Sequence, residues 1–208
     1  MRPRENELPR AERRALKALR TPYRIQQFLD ELPYNTEADG ATCYSPLEAL
    51  RHHRAHCMEG ALLAAAALRL AGDPALLLDL ESVRDDDHVL AIYRRGGHWG
   101  ALAKSNYAGL RSREPVYRTL RELALSYFEH YYNLKGEKTL RAFSTRPVNL
   151  RRFDARGWVT DPAPVWYIPE YLGTVAHTRL VSAAQLRLVA PMDRRLYEAG
   201  LTGSVRHP

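Results

Sequence analysis

From Cys57 to Leu70 the chain is almost entirely Ala, Leu and Met, so that a helix there is apolar on nearly every side, and Gly72 follows to end it. Such a helix has no face to offer water. It is expected to be buried, with the rest of the chain folded around it. Its longest apolar run, Ala61 to Leu68, is far too short to span a bilayer, so it reads as a core element and no membrane crossing is expected.

The flanking patterns indicate what surrounds it. Ala11 to Leu19 and Pro22 to Leu32 carry apolar residues at helical spacing, with Tyr23, Ile25, Phe28 and Leu29 on the inner stripe of the second. Asn35 to Thr42 reads as a loop. Ser45-Pro46-Leu47-Glu48 then supplies an N-cap, a proline at the first helical position and a glutamate for a capping box. After Gly72 the pattern changes to Leu-rich runs bounded by charged turns: Ala75 to Leu80, His88 to Arg94, and Trp99 to Lys104. The last two flank Arg95-Gly96-Gly97-His98, which predicts a hairpin. Val116 to Tyr132 returns to helical period, and its aromatic group Tyr127, Phe128, Tyr131 and Tyr132 reads as packing. Thr139 to Ser144 is a further strand, and Ser182 to Ala190 and Met192 to Ala199 are closing helices divided by Pro191.

The predicted fold class is α+β: an antiparallel sheet packed on the cysteine-bearing helix, with helices at both ends. At 208 residues one well-buried core is expected. Within it, residues 1–20 form a basic arm or helix, residues 21–110 a core, and residues 111–208 a helical extension packed on that core.

The net charge of +7 raises the question of anionic partners. Residues 1–20, however, hold seven basic groups against three acidic ones, so much of the excess sits on a terminal segment. No aromatic-basic array accompanies it, which argues against nucleic acid as a partner. The N-terminus lacks the apolar segment of a secretory signal, and two cysteines cannot staple a secreted scaffold, so a cytoplasmic protein with free thiols is expected.

Chemistry concentrates at Cys57. A thiol is nucleophilic as thiolate, and a helix N-terminus favours the thiolate through unpaired N–H groups and the helix dipole. His88, opening a strand one supersecondary unit later, is placed to act as its base. A buried cysteine filling space in an Ala-rich helix is the competing use of Cys57. His52, His53 and His56 with Cys57 lack the spacing of a zinc site, and Asp85-Asp86-Asp87 reads as a solvated turn or as a charge near His88. Neither a metal nor a cofactor is expected. Tyr44 and Trp99 are candidate walls of a substrate cleft, with burial in the core as the commoner use of such aromatics.

The wider pattern resembles the transglutaminase-like family of papain-like cysteine enzymes. The resemblance rests on the capped helix at Ser45-Pro46-Leu47-Glu48-Ala49-Leu50, then Arg54-Ala55-His56-Cys57-Met58-Glu59-Gly60-Ala61 and the long helix after it. Leu77 to Glu81, His88-Val89-Leu90-Ala91-Ile92-Tyr93, Gly96-Gly97 and Trp99-Gly100-Ala101-Leu102 follow the family's order of strand, histidine-led strand, turn and tryptophan-bearing strand. It covers residues 22–107, about half the chain.

Two departures stand out. Ala55 replaces the family's usual glycine, and no acidic residue follows Trp99 until Glu114, where the family usually places an Asp. Asn106, or failing it Ser105, is therefore expected to orient His88, as an Asn does in papain-like proteases.

The resemblance implies attack of Cys57 on a peptide, amide or ester carbonyl, with water or an amine as acceptor. An inactive protein keeping the fold as a binding scaffold is the alternative, and a basic nucleic-acid binder a second.

Overall fold

The structure is a computed structural model and describes residues 8–205. The predicted arm before Leu8, with Arg2 and Arg4, lies outside the described residues. Four helices lead the chain: α1 (Arg10–Ala18), α2 (Pro22–Glu31), α3 (Pro46–His52) and α4 (Cys57–Leu70). Then follow β1 (Leu76–Ser82), β2 (His88–Arg95), β3 (His98–Leu102), β4 (Arg113–Tyr117), α5 (Leu120–Leu125), β5 (Leu140–Ser144) and β6 (Val148–Asn149). The chain closes with α6 (Tyr167–Leu172), β7 (His177–Arg179), α7 (Ala183–Leu186) and α8 (Arg194–Gly200). No helix among the described residues is long and apolar enough to cross a membrane.

The fold is α+β, built on a seven-stranded sheet in the order β4-β3-β2-β1-β5-β7, with β6 pairing the Leu76–Leu77 end of β1. Every pairing between these strands is antiparallel. Residue alternation gives the sheet two apolar faces. Leu77, Val89, Ala91, Tyr93 and Leu102 pack with α4 and the other N-terminal helices, whereas Leu78, Leu80, Leu90, Ile92 and Ala101 pack under α5 and Tyr127, Phe128 and Tyr131. The helix that is apolar all round is buried from Met58 to Leu68, with the sheet on one side and α1, α2 and α3 on others. Burying three leucines and a run of alanines in this way stabilises the fold through area removed from water, at about 25 cal/mol per Å².

Local signals set the element ends. Thr21 Oγ1 and Ser45 Oγ cap α2 and α3, each with proline at the first helical turn. The reciprocal capping box expected at Ser45–Glu48 is one-sided, because the Glu48 carboxylate turns to Arg51 at 2.9 Å. His53 ends α3 in the left-handed conformation, which turns the chain so that α4 starts afresh at Cys57. The β2–β3 hairpin needs two consecutive positive φ angles, and Gly96 (55°) and Gly97 (84°) supply them.

The chain beyond residue 110 departs from expectation. It is not a helical extension: it contributes β4, β5, β6 and β7 to the sheet. The helix predicted over Val116 to Tyr132 is replaced by β4, the short α5 and a 3-10 turn at Phe128–His130. The open edge of β3 captures residues 113–117, pairing Trp99 with Tyr117 and Ala101 with Arg113, and Thr119 then caps α5 by accepting from the Glu122 N–H at 3.1 Å. Pro115 sits on the outermost strand, where a missing N–H costs no ladder bond. The closing helices α7 and α8 are shorter than their apolar patterns suggest.

Candidate active site

Cys57 is the first residue of α4, and His56 before it is the N-cap. Glu59 organises this end. Its side chain is fully buried and accepts from Asn35 Nδ2 (3.0 Å), Thr42 Oγ1 (2.8 Å), the Tyr44 N–H (2.9 Å) and the His56 N–H (3.0 Å). One carboxyl group thereby ties the 35–44 loop to the helix start, which fixes where Cys57 can be.

His56 completes the capping box. Its Nδ1 accepts from the Met58 N–H at 3.3 Å, and its Nε2 lies 3.0 Å from the Thr42 carbonyl, so these partners hold the Nε2–H tautomer. Burial lowers the pKa of His56, but hydrogen bonding and charge from Cys57, with Glu59, outweigh it and push the value up to about 9. A second proton would go to Nδ1, the nitrogen that caps Met58. The helix cap and an imidazolium at His56 therefore compete for one atom.

His88 opens β2, paired with Leu80 of β1, and is 4 % exposed. Its ring is wedged edge-on between Tyr127 and Tyr131, with centroids at 6.5 and 6.4 Å. Nε2 lies 2.9 Å from the carbonyl oxygen of Leu110, which leaves Nδ1 as the nitrogen able to meet the thiol. The Cys57 sulfur is half-buried and 4.0 Å from the Asp87 carbonyl. Burial raises its pKa, but hydrogen bonding to the His56 and His88 side chains and their positive charge bring the thiol down to about 6. Cys43, by contrast, is sealed in the core, and burial pushes it up to about 12. Both thiols are free.

Cys57 and His88 line the same cavity, of about 390 Å³. Its aromatic walls are Tyr34, Tyr107, Tyr131 and Tyr132, and the 85–87 and 133–137 turns form its rim. The two tyrosines read from the sequence as packing thus also face the cleft. The expected walls stand elsewhere. Tyr44 stacks on His52 at 4.5 Å and accepts from Arg54, and Trp99 packs into the second core beneath the Arg94 guanidinium.

The third-member residues are redirected as well. Asn106 and Ser105 border the cavity, but the Asn106 amide is bonded to the Val205 backbone and Ser105 Oγ accepts from the Tyr107 N–H at 3.0 Å. The group at His88 Nε2 is a main-chain carbonyl on the 3-10 turn Ala108–Leu110, an acceptor that no residue type announces.

The acidic turn serves itself. Asp87 Oδ1 accepts from the Ser82 N–H at 2.7 Å, and Asp85 Oδ2 from Thr139 Oγ1 at 2.7 Å. Among the described residues no group of three or more His, Cys, Asp or Glu is arranged to hold a metal ion. Compared with models of known protein families and with functionally curated proteins, the chain matches none.

Proposed function

We propose that the chain is a thiol-dependent acyl-transfer or hydrolytic enzyme with a transglutaminase-like, papain-like core, acting through Cys57 and His88. The observation that carries this reading is the placement of a helix-start cysteine and a strand-start histidine in one cavity, with the far nitrogen of the histidine held by Leu110. His88 Nδ1 takes the thiol proton. Cys57 Sγ bonds to the carbonyl carbon of a peptide, amide or ester, and the N–H of Cys57, at the first helical position and so without an intrahelical acceptor, supports the oxyanion. The C–N or C–O bond then breaks and the leaving group takes its proton from His88. Water or an amine attacks the acyl-enzyme, its proton passes to His88, and the thiolate departs.

Leu110 offers a neutral carbonyl where a carboxylate would stabilise the imidazolium more strongly, so turnover is expected to be slow relative to an Asp-bearing site. That same observation favours the second reading, a binding scaffold that keeps the fold without turnover.

Alkylation of Cys57 by iodoacetamide from pH 5 to 9, followed by mass spectrometry, tests the pair. Half-maximal labelling near pH 6 in the wild type, moving towards the ordinary thiol range in His88→Ala, is the expected result. Labelling no faster than free cysteine and indifferent to His88 would sink the enzyme reading. A burst of acyl-enzyme with an activated ester, absent in Cys57→Ala, separates enzyme from scaffold.

A further inference from the structure

The Leu110 carbonyl that meets His88 Nε2 lies in a run of hydrogen-bonded carbonyls. Four consecutive main-chain carbonyls, from Gly109 to Ser112, each have a named donor. Gly109 O accepts from Arg113 Nη2 at 2.8 Å, Arg111 O from the Tyr127 hydroxyl at 2.9 Å, and Ser112 O from Arg113 Nη1 at 3.0 Å. Leu110 O goes to His88 Nε2. Arg113 is itself fixed: Nε donates to Ser126 Oγ at 3.0 Å, Nη2 to the Ser126 carbonyl at 3.2 Å, and the guanidinium lies 3.9 Å over the Tyr127 ring. Tyr127, fully buried, makes a T-shaped ring contact with His88. Gly109 packs so closely that a Cβ there would meet His130 at 2.6 Å.

Resting on the reading of Cys57 and His88 as nucleophile and base, we propose that Arg113 and Tyr127 are positioning residues for His88. They turn the carbonyls flanking Leu110 away from the site and leave the Leu110 carbonyl to orient the ring. A neutral acceptor gives little charge stabilisation, so fixed orientation is what it has to contribute, and orientation is lost when its supports move. The fork of Arg113 suits this task because one planar group spans several carbonyls, which a lysine cannot do.

The test uses the full chain with two variants. Tyr127→Phe removes only the hydroxyl on Arg111 O, and Arg113→Lys keeps the charge and loses the fork. The first readout is the His88 Nε2–H resonance in imidazole-detected ¹⁵N NMR. It is expected to be slow-exchanging in the wild type and to exchange about tenfold faster or more in both variants. The second is the pH profile of Cys57 alkylation, where the rate at pH 6 is expected to fall about fivefold for the first unit by which the thiol pKa rises and about tenfold for each further unit. In a His88→Ala background neither substitution should change labelling further. Wild-type Nε2–H exchange in both variants overturns the proposal, as does a labelling loss of equal size with and without His88. Faster Nε2–H exchange with unchanged labelling would leave the positioning role standing and remove the role of His88 at Cys57 instead.

Discussion

Asn106 grips Val205 by both of its amide atoms, Nδ2 donating to the Val205 carbonyl at 2.8 Å and Oδ1 accepting from the Val205 N–H at 2.7 Å. The side chain that the family resemblance places against His88 instead pins Val205 at the rim of the cleft. Asn106→Ala is therefore expected to leave the pH profile of Cys57 labelling at its wild-type position. It should accelerate amide exchange over residues 201–205, at a cost of about 1 kcal/mol. A loss of thiol reactivity matching that of His88→Ala would return Asn106 to the catalytic group.

Asp79, buried on the α4 face of the sheet, meets the half-buried His177, Oδ2 to Nε2 at 2.9 Å, while His177 Nδ1 lies 2.9 Å from the Val175 carbonyl. Burial raises the Asp79 pKa to about 6; the hydrogen bond and charge of His177 oppose the rise, and Asp87 and Glu81 add to it. For a carboxyl raised above its ordinary 3.8, the stabilising contribution is complete below that value and is lost as pH climbs through about 6. His177→Ala leaves this carboxylate buried without its partner, so about 3–5 kcal/mol is expected to be lost at pH 8. The loss should shrink at pH 5, where Asp79 takes up a proton. Urea unfolding at the two pH values measures it, and a loss independent of pH would contradict the assignment.

Glu59 accepts four hydrogen bonds with no exposed surface. Glu59→Ala would strand those donors in the interior, and a destabilisation of about 3 kcal/mol or more is expected. Glu59→Gln should also destabilise, since its amide would set N–H groups against N–H groups. Thermal unfolding measures both, and a change within 0.5 kcal/mol, roughly the effect of a neutral surface substitution, would show that Glu59 is not the anchor of the 35–44 loop.

Gly60 faces Lys104, where an added Cβ would overlap the Lys104 side chain at its own Cβ and crowd its Cγ at 3.2 Å. Lys104 has little freedom to yield, because Nζ donates to the carbonyls of Leu29 and Leu32 at the end of α2. Gly60→Ala is thus expected to cost about 1–3 kcal/mol despite alanine's better helix propensity. For a chain of this size each kcal/mol lowers the Tm by roughly 2–4 °C. An unchanged or raised Tm would mean that α4 and Lys104 separate easily.

What the sequence by itself determined is what local chemistry enforces. The all-round apolar stretch ended by Gly72 leaves a helix nowhere to sit but the core, and α4 is buried there. Proline after a serine or threonine starts α2 and α3, and Gly96-Gly97 closes the β2–β3 hairpin because consecutive positive φ angles cost glycine little. Cys57 at a helix start and His88 at a strand start were legible for the same reason. Each marks an element boundary that its neighbours specify.

The tertiary structure decided everything that depends on a partner distant in sequence. Val116 and Tyr117 open the stretch of helical spacing, yet the unpaired edge of β3 draws them into a strand, because ladder hydrogen bonds outweigh a weak local preference. Asn106 has the right chemistry to orient a histidine, but the Val205 backbone reaches it first. The group that does meet His88 Nε2 is the Leu110 carbonyl, held among carbonyls that Arg113 and Tyr127 turn the other way. Every residue carries such a carbonyl, so no sequence pattern singles one out; only the fold, by pairing its neighbours with other donors, gives this one a direction.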